Sequence, residues 1–319
     1  MIHPIPPGTR DVLPDEMREQ RAITDGLHAT FAAAGYGEVW TPTLEYEEVL
    51  GTSAGASGYR LFDDQGDVLA LRSDMTLPIA RLAATRYPDA EPPLRLCYFG
   101  HAYRAARRGS GQATEFLQAG VELLGVAGPE GEAEVISVLL EGLDAAGLAR
   151  HRVGLGDSAL YRELLANLEV PAEHHADLLA RLAGKDLVGL EMRVSQLGLP
   201  DSAGRLLSRL PELRGGPEML ERAHEVAGPA LDGLARLYAT LEDKGVADRV
   251  ILDLGLVRHM TYYTGAVYEV YDPAVGFTLG GGGRYDELVG RFGSPRAACG
   301  FALDVQRVHV ARAAEEGLR

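Results

Sequence analysis

Phe116-Leu117-Gln118-Ala119-Gly120-Val121-Glu122-Leu123-Leu124 is the stretch on which the fold turns. As a strand, its side chains alternate between two faces. Leu117, Ala119, Val121 and Leu123 form an apolar side, and Gln118, Gly120 and Glu122 face the other way. On that second face the glycine is expected to leave open space between an amide and a carboxylate. Both groups accept N–H bonds and one is anionic, which suits a ligand's ammonium group. An ordinary strand with one face in water would show the same alternation. The segments around it separate the two readings.

Working outward, residues 94–103 predict a preceding strand, joined to this one by a loop over residues 104–113. Residues 59–62 and 68–72 predict a hairpin turning at Asp63-Asp64-Gln65-Gly66. Ser73-Asp74-Met75-Thr76 then opens a helix over residues 77–86, where Asp74 would ordinarily satisfy free backbone N–H groups. Residues 14–34 predict a helix with Met17, Ile23, Leu27 and Phe31 on its apolar face. Gly35 stops it, and a short strand runs to Pro42.

Further along, residues 130–147 predict a helix and residues 153–157 a short strand. From 158 to about 244 leucine and alanine recur at helical spacing, broken by prolines and glycines, with no convincing strand. His174 and His175 are adjacent, so they cannot share a helix face as metal ligands, and a surface position is expected. Strands return over residues 249–254 and 261–271. Gly280-Gly281-Gly282-Gly283 then predicts either a phosphate cradle or a tight turn, without the Gly-Lys-Ser/Thr of a P-loop. Residues 298–303 predict the last strand. Hairpin strands with helices grouped before, between and after them argue for an α+β domain on an antiparallel sheet. Residues 1–157 and 246–319 would form its core, with 158–245 as a helical insertion.

Composition bounds the function. The 319 residues are 46% hydrophobic and 24% charged, enough for a substantial core. No apolar run approaches the ~20 residues that cross a membrane, and the N-terminus lacks signal-peptide character. Cys97 and Cys299 are the only cysteines, so neither a disulfide framework nor a thiolate metal cluster is expected. A cytoplasmic protein fits. The net charge of −15 argues against a broad phosphate-binding surface.

Three separated stretches resemble the class II aminoacyl-tRNA synthetase core: residues 35–42, Tyr103-Arg104 with residues 115–122, and Gly300-Phe301-Ala302-Leu303 with Arg307. More narrowly, residues 8–14, Leu256-Val257-Arg258 with Tyr262-Tyr263-Thr264-Gly265, and Gly282-Gly283-Arg284-Tyr285-Asp286 resemble histidyl-tRNA synthetase. The resemblance runs nearly end to end and implies a histidine pocket at Asp74, Thr76, Arg104, Gln118, Glu122, Arg258, Tyr262 and Tyr263. It implies that Asp74, Gln118 and Glu122 receive the ammonium and Arg104 the carboxylate, while Tyr263 and Glu122 meet the imidazole.

The nucleotide half departs from that pattern. Ala106 stands where the resemblance implies a glutamate that helps hold ATP, and Gln112 and Thr114 where it implies basic residues on the phosphates. Asp304 stands where a glycine makes room for adenine, and Gln306 replaces a glutamate. Each missing charge-assisted hydrogen bond forfeits ~1.5–3 kcal/mol. Twelve residues follow Arg307, so no anticodon-binding domain is expected.

An intact amino-acid pocket beside a damaged nucleotide site resembles the regulatory subunits of ATP phosphoribosyltransferase. That resemblance implies a non-catalytic protein, without cofactor or metal, that partners the short catalytic subunit in histidine biosynthesis. It implies feedback inhibition by histidine, a homodimer built on residues 14–42 and no tRNA binding. The alternative is a free-standing enzyme that adenylates histidine.

Overall fold

The computed structural model describes residues 5–51, 58–105, 113–257 and 262–318. Its centre is a nine-stranded sheet. In spatial order the strands are β1 (Gly37–Glu38), β5 (Leu94–Tyr103), β6 (Glu115–Leu124), β12 (Ala298–Asp304), β11 (Thr278–Arg284), β10 (Ala266–Tyr271), β7 (Arg152–Asp157), β9 (Val250–Asp253) and β8 (Arg214–Gly215). The six strands from β5 to β7 run antiparallel, as expected. The sheet is mixed at its flanks, because β1 pairs with β5 and β9 with β7 in parallel. Each parallel pairing follows a long crossover connection, which parallel strands require.

One face of this sheet carries the core. Ala119, Val121 and Leu123 of β6 point there with Phe301 and Leu303 of β12. They meet α1 (Pro14–Ala33), α4 (Pro129–Ala145) and α11 (Val305–Gly317), which pack on one another and on that face. Ile23, Leu27 and Phe31 bury the inner stripe of α1 as the spacing predicts. Met17 does not join them; it is exposed, and Gln20 is buried instead, donating to Glu16 Oε1 at 2.9 Å. The strand expected over residues 35–42 shrinks to Gly37–Glu38, after which the chain leaves the sheet and Trp40 stands 82% exposed.

The helical stretch holds α5 (Ser158–Asn167), α6 (Ala172–Ala183), α7 (Leu187–Gln196), α8 (Asp201–Arg209), α9 (Glu218–Ala227) and α10 (Asp232–Asp243). It is not strand-free. Arg214–Gly215 extends the sheet as β8, pairing antiparallel with β9. His174 and His175 are half-buried rather than on the open surface; His174 Nδ1 lies 3.0 Å from Arg193 Nη2, and His175 Nε2 lies 2.7 Å from the Val170 carbonyl.

The opposite sheet face has fewer helices over it and receives α3 (Thr76–Arg86) and a three-stranded sheet of β2 (Leu44–Tyr46), β4 (Val68–Leu71) and β3 (Arg60–Phe62). The β3–β4 hairpin turns where the sequence predicts; Asp63 Oδ1 accepts from the Gln65 and Asp67 N–H groups. The four glycines at 280–283 form neither turn nor phosphate cradle. They lie inside β11, paired on both sides. A strand this poor in side chains lets its neighbours' tyrosines lie flat across it: a Cβ on Gly282 would sit 2.7 Å from the Tyr268 ring.

Candidate functional site

The antiparallel register aligns one row of side chains on the open face. Gln118, Gly120 and Glu122 of β6 stand opposite Asp304, Ala302 and Gly300 of β12. Gly281 and Gly283 of β11 continue the row beyond Ala302 and Gly300. Large residues at one end and almost none beyond make a floor, and a cavity of about 820 Å³ lies over it. The space expected over Gly120 is not part of that opening. Tyr98 pairs with Gly120 from β5 and its hydroxyl donates to the Phe301 carbonyl at 3.2 Å, so the tyrosine fills the gap.

Six of the eight residues implied as the histidine pocket line this cavity: Asp74, Thr76, Arg104, Gln118, Tyr262 and Tyr263. Glu122 lies one layer beneath. It is 1% exposed, and its two oxygens accept from Thr76 Oγ1 at 2.8 Å and from the Tyr285 hydroxyl. Thr76 and Tyr285 are the groups that face the cavity. Arg258 lies outside the described residues, as do Ala106 and Gln112.

Burial governs the acids. Desolvation pushes the Glu122 carboxyl up to about 8, and the charge of Asp74 adds to the shift; the hydroxyls of Tyr285 and Thr76 oppose it. The Asp74 carboxyl is also raised by burial, against the Leu77 N–H and the positive charge of Arg104. Asp74 Oδ1 accepts from Leu77 N at 3.1 Å. Asp74 therefore does the ordinary helix-start job and still faces the cavity. Gln118 is buried, and its Oε1 has no hydrogen-bond partner among the described residues. A buried acceptor is ordinarily satisfied, so this one is available to a bound ligand or to water.

Cation and rings complete this end. Arg104 donates from Nε to the Ser73 carbonyl at 3.0 Å, with its guanidinium 5.0 Å from the Phe116 ring centre. The rings of Tyr262 and Tyr263 lie 4.9 Å apart, and Tyr262 meets Tyr285 edge-on at 6.0 Å. Tyr285 is a site residue that sequence reasoning did not assign. Its signal was present, since it follows the glycine strand inside Gly282-Gly283-Arg284-Tyr285-Asp286.

The far end of the cavity has different chemistry. Asp304 caps α11 by accepting from Arg307 N at 3.1 Å, and burial raises its carboxyl. Arg307 lies 3.4 Å from Asp304, donates to the Thr278 carbonyl at 2.8 Å and rests 5.6 Å from the Phe277 ring. Arg10 is bound to Glu16, and Gln306 is spent on the Leu117 N–H at 3.0 Å. Thr114 is buried and bonded to Pro7. Among the described residues the cations here, Arg10 and Arg307, already have acidic partners, and Asp304 puts an anion among them.

The antiparallel core, the tyrosine- and acid-lined cavity and the Arg104 and Arg307 positions define a class II synthetase-like protein of the histidyl type. A sequence model of the family described as histidyl-tRNA synthetase matches residues 8–308. A protein from Desulforamulus reducens called ATP phosphoribosyltransferase regulatory subunit is 42% identical over 313 residues, covering 96% of this chain and 78% of that one. A solved structure from Bacillus halodurans C, described as an ATP phosphoribosyltransferase regulatory subunit/histidyl-tRNA synthetase, is 36% identical at a TM-score of 0.91, covering 98% and 83%. A histidine–tRNA ligase subunit from Alicyclobacillus acidocaldarius is 33% identical at a TM-score of 0.84, covering 99% of each chain. The chain belongs to the ATP phosphoribosyltransferase regulatory subunit family, within the histidyl-tRNA synthetase-like proteins.

Proposed function

We propose that this chain is the regulatory subunit of an ATP phosphoribosyltransferase at the first step of histidine biosynthesis. It catalyses nothing alone, completes the short catalytic subunit and takes free histidine in the cavity. The observation that carries this reading is the division of one cavity into two unlike ends. One end offers the open Gln118 acceptor, Asp74 and Arg104, which suits an amino acid's ammonium and carboxylate. Tyr262, Tyr263 and Tyr285 surround the space left for an imidazole, and Glu122 orients Thr76 and Tyr285 from behind. At the other end stands Asp304, at the position where the synthetase resemblance implies a glycine under adenine, and in this reading its carboxylate disfavours a nucleotide. A protein that holds the amino acid but not ATP is a sensor, and histidine then shifts a conformational equilibrium by its different affinity for two states.

Residues 14–42 form a homodimer interface in this reading, and 158–245 is an insertion into the core. The net charge of −15 speaks against tRNA as a partner. No helix among the described residues is long and apolar enough to cross a membrane, in keeping with a cytoplasmic role.

The test is co-purification with a short catalytic subunit and assay of phosphoribosyl transfer with and without histidine. Activity is expected only when both chains are present, and histidine is expected to reduce it. Full activity of the catalytic chain alone would overturn the reading. The histidine-adenylating enzyme is favoured by one observation, the retention of Arg104 and Arg307 at the cavity. Histidine-dependent ATP–pyrophosphate exchange would establish it.

A further inference from the structure

Residues 72–74 carry contacts that run in opposite directions. Toward the cavity, Arg104 Nε donates to the Ser73 carbonyl and Asp74 presents its carboxylate, while the Arg72 carbonyl accepts from Tyr103 N at 2.9 Å. Away from the cavity runs the Arg72 side chain, which is 3% exposed. Its Nη1 donates to the Thr41 carbonyl at 2.7 Å and the Pro42 carbonyl at 3.2 Å, and its Nε donates to the His101 carbonyl at 2.7 Å. Its backbone N–H donates to the Thr43 carbonyl at 3.0 Å.

A buried guanidinium held by carbonyls, with no carboxylate bonded to it among the described residues, is a costly anchor. An apolar side chain could fill the same space without desolvating a charge. What the guanidinium adds is geometry, because its planar fork fixes two chain segments against each other at once. There is little slack around it: a Cβ on Gly100 would sit 2.7 Å from Arg72 Nη2 and 3.0 Å from Met75. The segment it grips is flanked by Trp40, 82% exposed, and by Leu44 and Tyr46, also exposed.

We propose that Arg72 is a positioning residue that couples occupancy of the cavity by an amino acid to the placement of the exposed segment from Trp40 to Tyr46. The proposal rests on the reading of the cavity given above. A ligand carboxylate drawing on Arg104 and a ligand ammonium drawing on Asp74 both load residues 73 and 74. Arg72, next in the chain and locked to buried Thr41, passes the displacement outward. The ligand favours one placement of the segment because its contacts differ between the two.

Trp40 is the only tryptophan, so emission excited at the red edge, where the 13 tyrosines do not absorb, reports on this segment. The experiment titrates histidine into the full chain, following heat by calorimetry, Trp40 emission, and hydrogen exchange of residues 43–46, with light scattering at the same concentrations. In the wild type, emission and exchange are expected to change saturably with the calorimetric midpoint, at constant mass. In Arg72→Gln the histidine affinity is expected to stay within about threefold while the emission response is lost, and Arg72→Lys is expected to restore part of it. Calorimetric binding with unchanged emission and exchange in the wild type overturns the coupling and leaves the cavity reading standing. Absence of calorimetric binding overturns both. An emission response retained by a folded Arg72→Gln overturns the role given to Arg72, and where Arg72→Gln fails to fold, Arg72→Lys, which keeps the charge without the planar fork, makes the same comparison.

Discussion

Glu122 and Gly300 face each other across β6 and β12, and the carboxylate lies in the space a side chain at 300 would take. A Cβ built on Gly300 would sit 1.8 Å from Glu122 Oε2. The buried acid can lie flat beneath Thr76 and Tyr285 only because its neighbour has no side chain. A glycine in the third synthetase-like stretch is thus part of the proposed amino-acid pocket, through the acid it accommodates.

Gly300→Ala is therefore expected to push Glu122 off its two hydroxyl partners and to weaken histidine binding about ten- to hundredfold, the loss of one charge-assisted interaction of ~1.5–3 kcal/mol. Calorimetry on the variant, with circular dichroism to confirm the fold, checks this. Wild-type affinity in a folded Gly300→Ala protein would remove Glu122 from the pocket's working parts.

The same acid sets a pH dependence. Its carboxyl titrates near 4.5 when unfolded and at about 8 in the fold. Between those values the unfolded chain gives up a proton that the folded chain keeps, so Glu122 makes stability fall as pH rises from about 4.5 to about 8. Glu122→Gln is expected to flatten that part of the profile of thermal midpoint against pH. A cationic ligand nearby draws the proton off, so histidine binding at pH 7 should release protons. The binding heat should then depend on the buffer's ionisation heat, and Glu122→Gln should abolish the dependence. Identical heats in all buffers for the wild type would contradict the assignment.

How far the sequence reveals this site depends on the signal each part leaves. β6 is legible because its alternation separates Ala119, Val121 and Leu123 from Gln118 and Glu122, and the structure keeps them on opposite faces. The hairpin of β3 and β4 is legible from its turn. β11 is not, because strands are recognised by β-branched and aromatic residues and this one is a run of glycines whose neighbours' tyrosines supply the bulk. That gap also hid Tyr285, one residue past the strand. Gly120 misled for a related reason: an absent side chain signals room, and only the fold shows that Tyr98 takes it. Met17 and Gln20 exchange places on α1 because the helix meets α4 and α11 at different points along its length, which no single-helix periodicity encodes.

Arg284 offers a test of the frame that holds the site. Its guanidinium is buried and bonds Glu132 through Nε at 2.8 Å and Nη2 at 2.7 Å, and also the Gly128 carbonyl at 2.7 Å and Asp286 at 2.9 Å. It joins the end of β11 to the first turn of α4. Arg284→Met strands Glu132 in the interior, and a loss of ~3–5 kcal/mol is expected in denaturant unfolding. The double variant with Glu132→Gln should recover part of that loss, since the uncompensated charge is gone. A single variant as stable as the wild type would show that solvent reaches Glu132.

Asp304 separates a sensor from a synthetase most directly. Its carboxylate lies at the far end of the cavity, held by the Arg307 N–H and guanidinium. Where a nucleotide takes the place that the synthetase resemblance implies, its adenine meets this carboxylate, which crowds the neutral ring and loses solvent beneath it without gaining a partner. Asp304→Gly removes the charge at small structural expense, because glycine is nearly as good as aspartate at a helix N-cap, within a few tenths of a kcal/mol. ATP binding by equilibrium dialysis is expected to be weak in the wild type and at least about tenfold tighter in Asp304→Gly, a gain of ~1.4 kcal/mol. Pyrophosphate exchange should remain absent in both, since Ala106 and Thr114 still lack the charges that a phosphate-handling loop needs. ATP bound equally well by the two proteins would mean that the aspartate does not guard this end, and the adenylating enzyme would become the better account.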